Sequence, residues 1–245
     1  MKKFLFLVLL CTVLYGEELS VGAGVYAQTQ PYENVDAIVV PSPVVFYDNG
    51  VVYARWTRFG VYFYGQKTKE LSWGFSLTAQ PRPNQYSPDD SNELRGLSEK
   101  KSSFEGGLAF TLYGDDKYLE AMVVTDMLDR YNSYIAKVEA GFKYTFAGVS
   151  LYPSAVVVYE SKEFTQYYYG IDARESANSG IALYMPNGGV RVGLQSYISY
   201  PLTKSFSLFF NIRGDRLTKS AYNSPIVEEK FVYSSLASLL YRFEL

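Results

Sequence analysis

The chain has 245 residues, enough for one β-rich domain of barrel or sandwich size, and no shift in composition divides it in two. With 23 basic and 25 acidic residues its formal net charge is −2, so it has no basic surplus of the kind that binds nucleic acid. Histidine is absent, which removes the usual general base of serine and cysteine hydrolases and the commonest metal ligand. We therefore predict that the protein is not an enzyme and has no catalytic, cofactor-binding or metal site.

The N-terminus has the pattern of a secretory signal peptide. Two lysines precede an apolar run from Phe4 to about Tyr15, and the small Gly16 follows. The run is shorter than the roughly 20 residues that a membrane-spanning helix needs. We predict that residues 1–16 are removed on export. The mature domain, residues 17–245, then has no cysteine and no disulfide, because the only cysteine is Cys11.

The rest of the chain alternates apolar and polar residues in repeated segments separated by turn residues. Aromatic residues make up 17% of the chain, with 24 tyrosines, and many lie toward segment ends. Segments of about ten residues with this alternation are typical of outer-membrane β-barrels, whose apolar rows face lipid and whose aromatic girdles lie at the interfaces. We predict an all-β fold, a closed antiparallel transmembrane barrel in the outer membrane of a Gram-negative bacterium. A soluble β-sandwich or a lipocalin-like binder is the alternative.

The number of strands depends on the first part of the chain. Three segments precede Leu71, near Leu19–Ala27, Ala37–Tyr47 and Val51–Gly65. Bacterial barrels of a single chain have an even number of strands. A break near Phe59 and Gly60 would divide the third segment and give twelve strands, which we favour. A first segment that does not span the membrane would give ten.

Later segments show the alternation most clearly. In Tyr134–Phe146, Val138, Ala140 and Phe142 share one row, and charged residues lie on the other. The pattern recurs at 104–113, 149–160, 190–200 and 231–245. If the apolar rows face lipid, the charged rows face the barrel lumen.

The connections are of two kinds. Short turns are predicted at 48–50, 114–117, 147–148 and 202–204, and long polar loops at about 81–103, 161–189 and 218–230. In barrels of this class the short turns face the periplasm and the long loops face the exterior. This assignment sets the orientation of the chain in the membrane.

The polar rows would bring a set of charged side chains into the lumen. Charges away from water need partners, so a salt-bridged plug is one interpretation and a selective pore is the other. The predicted lumen charges are Glu105, Glu120, Asp126, Lys137, Glu139, Lys143, Arg191, Arg213 and Asp215.

Two loop stretches have both a structural and a binding interpretation. The first is a run of three tyrosines, Tyr167, Tyr168 and Tyr169. We predict that it packs at the extracellular rim or forms an interaction site for a ligand or receptor. Asp89 and Asp90 lie in a polar loop that is either simply solvated or contacts divalent ions and lipopolysaccharide phosphates.

Four short motifs occur in order along the chain: VPSPVVFY (40–47), LRGL (94–97), YYYGIDARESANSG (167–180) and NSPIV (223–227). Together they resemble the MipA/OmpV family of outer-membrane barrel proteins over about residues 22–243. Members of that family have an early VP-x-P segment, a GL element, a YYG stretch followed by a glutamate, and a late SP-(I/L/M)-V. The resemblance departs at the C-terminus, because bacterial barrels most often end in phenylalanine and here Phe243 is followed by Glu244 and Leu245.

The resemblance implies a function without catalysis. The founding member of the family is described as a scaffold for a lytic transglycosylase and a peptidoglycan synthase, and other members are linked to adhesion. We therefore predict a scaffold or interaction protein, with a narrow channel and an adhesion or ligand-binding barrel as alternatives. Expected partners are outer-membrane lipids and lipopolysaccharide, the barrel-assembly machinery during insertion, and those two classes of cell-wall enzyme.

Overall fold

The computed structural model describes residues 18–68 and 70–243, so the predicted signal peptide lies outside the described residues. Its framework is a single antiparallel sheet of thirteen segments. They are β1 (Leu19–Gln28), β2 (Ile38–Asp48), β3 (Val52–Arg55), β4 (Arg58–Lys67), β5 (Ser72–Arg82), β6 (Ser103–Tyr113), β7 (Lys117–Asp126), β8 (Tyr134–Phe142), β9 (Tyr144–Phe146), β10 (Val149–Glu160), β11 (Gly189–Pro201), β12 (Phe206–Arg216) and β13 (Phe231–Phe243).

The sheet closes on itself because β1 pairs with β13, for example through Val21 and Tyr241. The segments β8 and β9 both pair with β10, so they are two parts of one strand and the barrel has twelve strands. The interruption, at Lys143, follows Phe142, and Pro153 opposite Phe142 has no N–H to donate to the Phe142 carbonyl. The prediction of twelve strands is confirmed.

The break in the early part of the chain occurs at a different place from the predicted one. We expected it near Phe59 and Gly60, but β3 and β4 are joined at Trp56 and Thr57. Phe59 and Gly60 lie inside β4, paired with β5. Neither Trp56 nor Thr57 is a usual turn residue, which is why the sequence pattern did not reveal the position.

The predicted lipid-facing rows are exposed and the polar rows are buried. In β8, Val138 and Phe142 are exposed on one row, whereas Ile135 and Glu139 on the other row are buried. The same contrast appears in β6, where Leu108 is exposed and Glu105 is buried. A soluble sheet would bury its apolar row, so this arrangement is that of a membrane barrel.

Short turns join the strands at one end, which is the periplasmic end by the rule for this class of barrel. The tightest joins β9 to β10, where Ala147 (φ 49°) and Gly148 (φ 83°) both adopt the left-handed conformation that two-residue hairpins favour.

The opposite, extracellular end carries long connections that contain helices. These are α1 (Lys162–Tyr169), α2 (Ala173–Ser179), α3 (Lys219–Tyr222) and a single 3₁₀ turn at Asn92–Leu94. Across the described residues no helix is both long and apolar enough to cross a membrane. We call the extracellular connections between β1 and β2, β5 and β6, β10 and β11, and β12 and β13 together the cap.

Candidate functional site: the barrel lumen

The lumen contains a cavity of about 1600 Å³. At one end its lining includes exposed residues of the periplasmic turns, such as Asp116 and Lys117. At the other end it reaches Tyr32 and Tyr169, which are buried in the cap. The cavity therefore opens toward the periplasm and ends beneath the cap.

The cap closes the extracellular end because its loops share one hydrophobic core. Phe164, Tyr168 and Tyr169 of α1 are fully buried, and Ser161 caps that helix by accepting a hydrogen bond from the Phe164 N–H. Further buried residues come from every cap connection: Tyr32, Tyr86, Leu94, Leu97, Ile171, Leu217, Ala221 and Ile226.

Hydrogen bonds join cap loops that are far apart in the sequence. Tyr32 Oη donates to the Tyr168 carbonyl (3.2 Å), and Ser224 Oγ donates to the Tyr169 carbonyl (2.7 Å). Tyr168 Oη donates to the Lys101 carbonyl (3.2 Å). Of the three tyrosines predicted as a rim site, Tyr168 and Tyr169 are therefore inside the cap, and Tyr167 is half-buried.

Glu175 is the polar centre of the cap. Its carboxylate closes a capping box at the start of α2 by accepting from the Asp172 N–H (3.0 Å), and it also accepts from Lys100 Nζ (2.8 Å) and the Ser98 N–H (3.1 Å). Burial alone would raise the pKa of Glu175, but these hydrogen bonds outweigh burial and hold its pKa below the usual value. The glutamate of the YYG motif thus links two loops.

One wall of the lumen carries a continuous ion-pair network. Arg55 binds Asp48 (2.8 Å) and Glu120 (3.4 Å). Glu120 also pairs with Arg58, and Lys137 bridges from Glu120 (3.8 Å) to Glu139 (2.8 Å). Glu139 also accepts hydrogen bonds from Tyr118 Oη, Ser154 Oγ and Gln195 Nε2.

Two further pairs lie near the cap. Glu105 binds Arg82 (2.7 Å) and Tyr131 Oη, and Glu160 binds Arg191 (2.7 Å). Arg191 also donates to Tyr169 Oη (3.2 Å), which connects the wall of the barrel to α1.

Most of the predicted lumen charges face the interior in ion pairs. Besides those above, Arg213 pairs with Asp215 (2.6 Å). Lys143 is exposed at the periplasmic end, 6.0 Å from the Tyr152 ring. Asp126 accepts from backbone N–H groups of the next loop, including Tyr131 (2.9 Å). The sequence reasoning missed Arg55, Arg58 and Arg82, although all three occupy the polar rows of their strands.

The opposite wall is apolar. Val44, Phe209, Leu236 and Leu240 are buried side chains of β2, β12 and β13 that project into the lumen. Tyr26, Phe46, Trp56 and Tyr197 pack against them. We call these eight residues the apolar wall. The lumen thus has one side with a network of ion pairs and one apolar side, and on β12 the Arg213–Asp215 pair lies beyond the apolar wall toward the extracellular end. Over the described residues no cluster of His, Cys, Asp or Glu could hold a metal ion.

Comparison with known proteins identifies the family. The family model "MltA-interacting protein MipA" matches residues 21–243. The MltA-interacting protein of Escherichia coli is 29% identical over 92% of this chain and 90% of its own length, and the putative outer membrane protein YiaT of the same organism is 25% identical over 92% and 91%. The outer membrane protein OmpV of Vibrio cholerae is 23% identical over 74% and 69%. The protein is an outer-membrane barrel that belongs to the MipA family.

Proposed function

We propose that this protein is a scaffold that binds a peptidoglycan-remodelling enzyme, of the lytic transglycosylase class, at its periplasmic end. The observation that carries the proposal is the one-sided lumen: the cap seals the exterior, while the cavity and the charged turns face the periplasm. The relative from Escherichia coli is named for an interaction with MltA, which supports a partner of this class. Export would use residues 1–16 as a signal peptide and insertion would use the barrel-assembly machinery.

The periplasmic end offers the surface for such a partner. Asp115 and Asp116 are exposed in the turn between β6 and β7, Lys117 is exposed at the start of β7, and Lys204 is exposed between β11 and β12. These turns surround the mouth of the lumen. The buried charges deeper inside are paired with one another, so the exposed turn charges are the ones that can bind a partner.

Site-specific photocrosslinking in intact envelopes tests the proposal. A photoactivatable residue at position 115 or 204 should give an adduct with a cell-wall hydrolase, identified by mass spectrometry. The matched controls are Asp89 and Glu228, which are exposed in extracellular loops and should give no such adduct. Adducts from the extracellular positions alone would contradict the proposal. The proposal would also be contradicted if the periplasmic positions gave adducts with the assembly machinery but none with a cell-wall enzyme.

A further inference from the structure

The barrel wall has an opening in its extracellular half, beside β2. The strand β3 has 4 residues, whereas β2 and β5 on either side of the β3–β4 hairpin have 11 each. The Trp56 N–H donates to the Val45 carbonyl (2.8 Å), and above this bond no described strand pairs with residues 38–44 on the side away from β1. The register places Pro81 beside the turn of the hairpin and β5 ends at Arg82, so the strand edge that borders the opening is residues 38–44 of β2.

The backbone polarity at the edges of the opening follows from the register. Neighbouring residues of a strand direct their N–H and C=O groups to opposite sides. Since the Val45 carbonyl accepts from β3, Pro43 and Pro41 direct their backbone nitrogens to the same side, into the opening. Proline has no N–H to leave unpaired.

A third proline with no N–H lies on β5, beside the turn of the hairpin. The Phe104 carbonyl accepts from the Met127 N–H on the β7 side, so Phe104 and its β5 partner Pro81 direct their polar groups away from each other. Pro81 therefore directs its backbone nitrogen toward Thr57, in the turn of the β3–β4 hairpin at the lower margin of the opening. An unpaired N–H in hydrocarbon costs several kcal/mol, and proline at positions 41 and 43 of the β2 edge has no such group.

Trp56 lies at the lower margin of the opening in a conformation that is rare for a bulky residue, with φ 59°. Its indole Nε1 donates to Ser42 Oγ (2.9 Å), and its ring centroid is 5.5 Å from that of Tyr26. These contacts hold the ring inside the lumen, against the apolar wall. Val40, on the same inward row of β2 as Ser42 and Val44, is 42% exposed, although Val44 is completely buried.

We propose that the opening admits an acyl chain of an outer-leaflet lipid, which lies against Trp56 and the apolar wall. The outer margin of β2 presents Val39, Pro41 and Pro43 to the bilayer, all exposed, so hydrocarbon is what faces the opening. A strand from a second protein would pair with this edge of β2 through its N–H donors, and Pro41 and Pro43 have none. The apolar wall behind the opening matches a hydrocarbon chain, whereas the network of Glu120, Lys137 and Glu139 lies across the lumen.

Fluorescence quenching by lipids with dibrominated acyl chains tests the proposal. The chain has 2 tryptophans, so Trp73→Phe leaves Trp56 as the only reporter. Two controls carry a single tryptophan in a chain with both native tryptophans replaced by phenylalanine: Val123→Trp faces lipid from β7, and Tyr118→Trp faces the charged side of the lumen from the same strand.

In vesicles of dibrominated phosphatidylcholine, Trp56 should be quenched nearly as strongly as the tryptophan at 123, and several-fold more than the one at 118. Quenching of Trp56 equal to that at 118 would overturn the proposal. A second measurement uses the unaltered protein with a photoactivatable acyl-chain lipid. Adducts at Val40, Ser42 or Trp56 support entry of the chain, and adducts confined to outward residues such as Leu194 refute it.

Discussion

Adjacent residues of β8 have opposite environments. Val138 is 46% exposed on the outer surface, whereas Lys137 lies inside, 2.8 Å from Glu139. A basic residue on the lipid face near mid-membrane costs about 2 to 4 kcal/mol. We therefore expect Val138→Arg to lower the stability of the folded barrel by that amount, and Val138→Leu to change it little. Urea titrations of the barrel in lipid vesicles, followed by heat-modifiable gel migration, measure both.

Cysteine scanning separates this result from the effect of a buried core, because a soluble sheet would also be damaged by arginine. Cysteines at 136, 138, 140 and 142 should react with a maleimide dissolved in the lipid phase, and those at 137 and 139 should not. An unreactive apolar row would contradict the membrane assignment of this strand.

Glu175 makes the cap sensitive to pH. Because its pKa in the folded state is below the usual 4.5, its contribution to stability is complete above that pH and is lost as the pH falls through the lowered pKa. Hydrogen-exchange protection of the amides of Ser98 and Asp172, corrected for intrinsic rates, should be constant above about pH 5 and fall below about pH 4. Glu175→Gln should show low protection at neutral pH and little change on acidification. Equal protection in the two proteins at pH 7 would show that the carboxylate does not hold the cap.

At the scale of the strand, proline has opposite consequences in the open and closed parts of the wall. Pro41 and Pro43 face the opening, whereas Pro153 faces Phe142 of β8 in a paired wall. In Pro41→Val with Pro43→Val, each new N–H lacks a partner, which should destabilise the barrel by about 1 to 3 kcal/mol per donor. Pro153→Val supplies a donor opposite the Phe142 carbonyl and should be neutral or stabilising by about 1 kcal/mol. Urea titrations of both variants give the sign, and stabilisation by the first variant would mean that the edge is paired in the membrane.

Sequence periodicity predicts the paired strands well because two physical requirements coincide in them. Each residue that faces lipid must be apolar, and each residue that faces the lumen can be polar. Strands such as β6 and β10 can therefore be recognised from their own alternation, without knowledge of the strands they pair with. The turn between β3 and β4 could not be predicted in this way, since Trp56 adopts a positive φ at a turn position that glycine usually occupies. The helices of the cap are equally hidden, because tertiary packing of Tyr168 and Tyr169 stabilises a segment that is otherwise a polar loop.

At the scale of the whole molecule, the inward charges could be predicted but their partners could not. Arg55 and Glu120 are 65 residues apart in the sequence, and their contact depends on the curvature and stagger of the closed barrel. The apolar wall could not be predicted for the same reason. An apolar residue on the inward row, such as Val44 or Leu236, interrupts the alternation, but the sequence does not show which other residues it contacts. Closure of one end required the cap loops to pack together, which no single motif indicates.

The seal at the extracellular end leads to a prediction about conductance. A barrel of twelve strands lies between the small barrels filled by side chains and those of 16 to 18 strands that leave an aqueous channel. Here the cavity of about 1600 Å³ is blocked by the cap, in which Tyr168 and Tyr169 have no exposed surface. The intact protein should show no large, steady single-channel current in planar bilayers. Replacing residues 162–187 by a short Gly-Ser linker should produce such currents. Steady currents from the intact protein would favour a channel instead, and a silent truncated barrel would show that the paired charges of the lumen block ions without the cap.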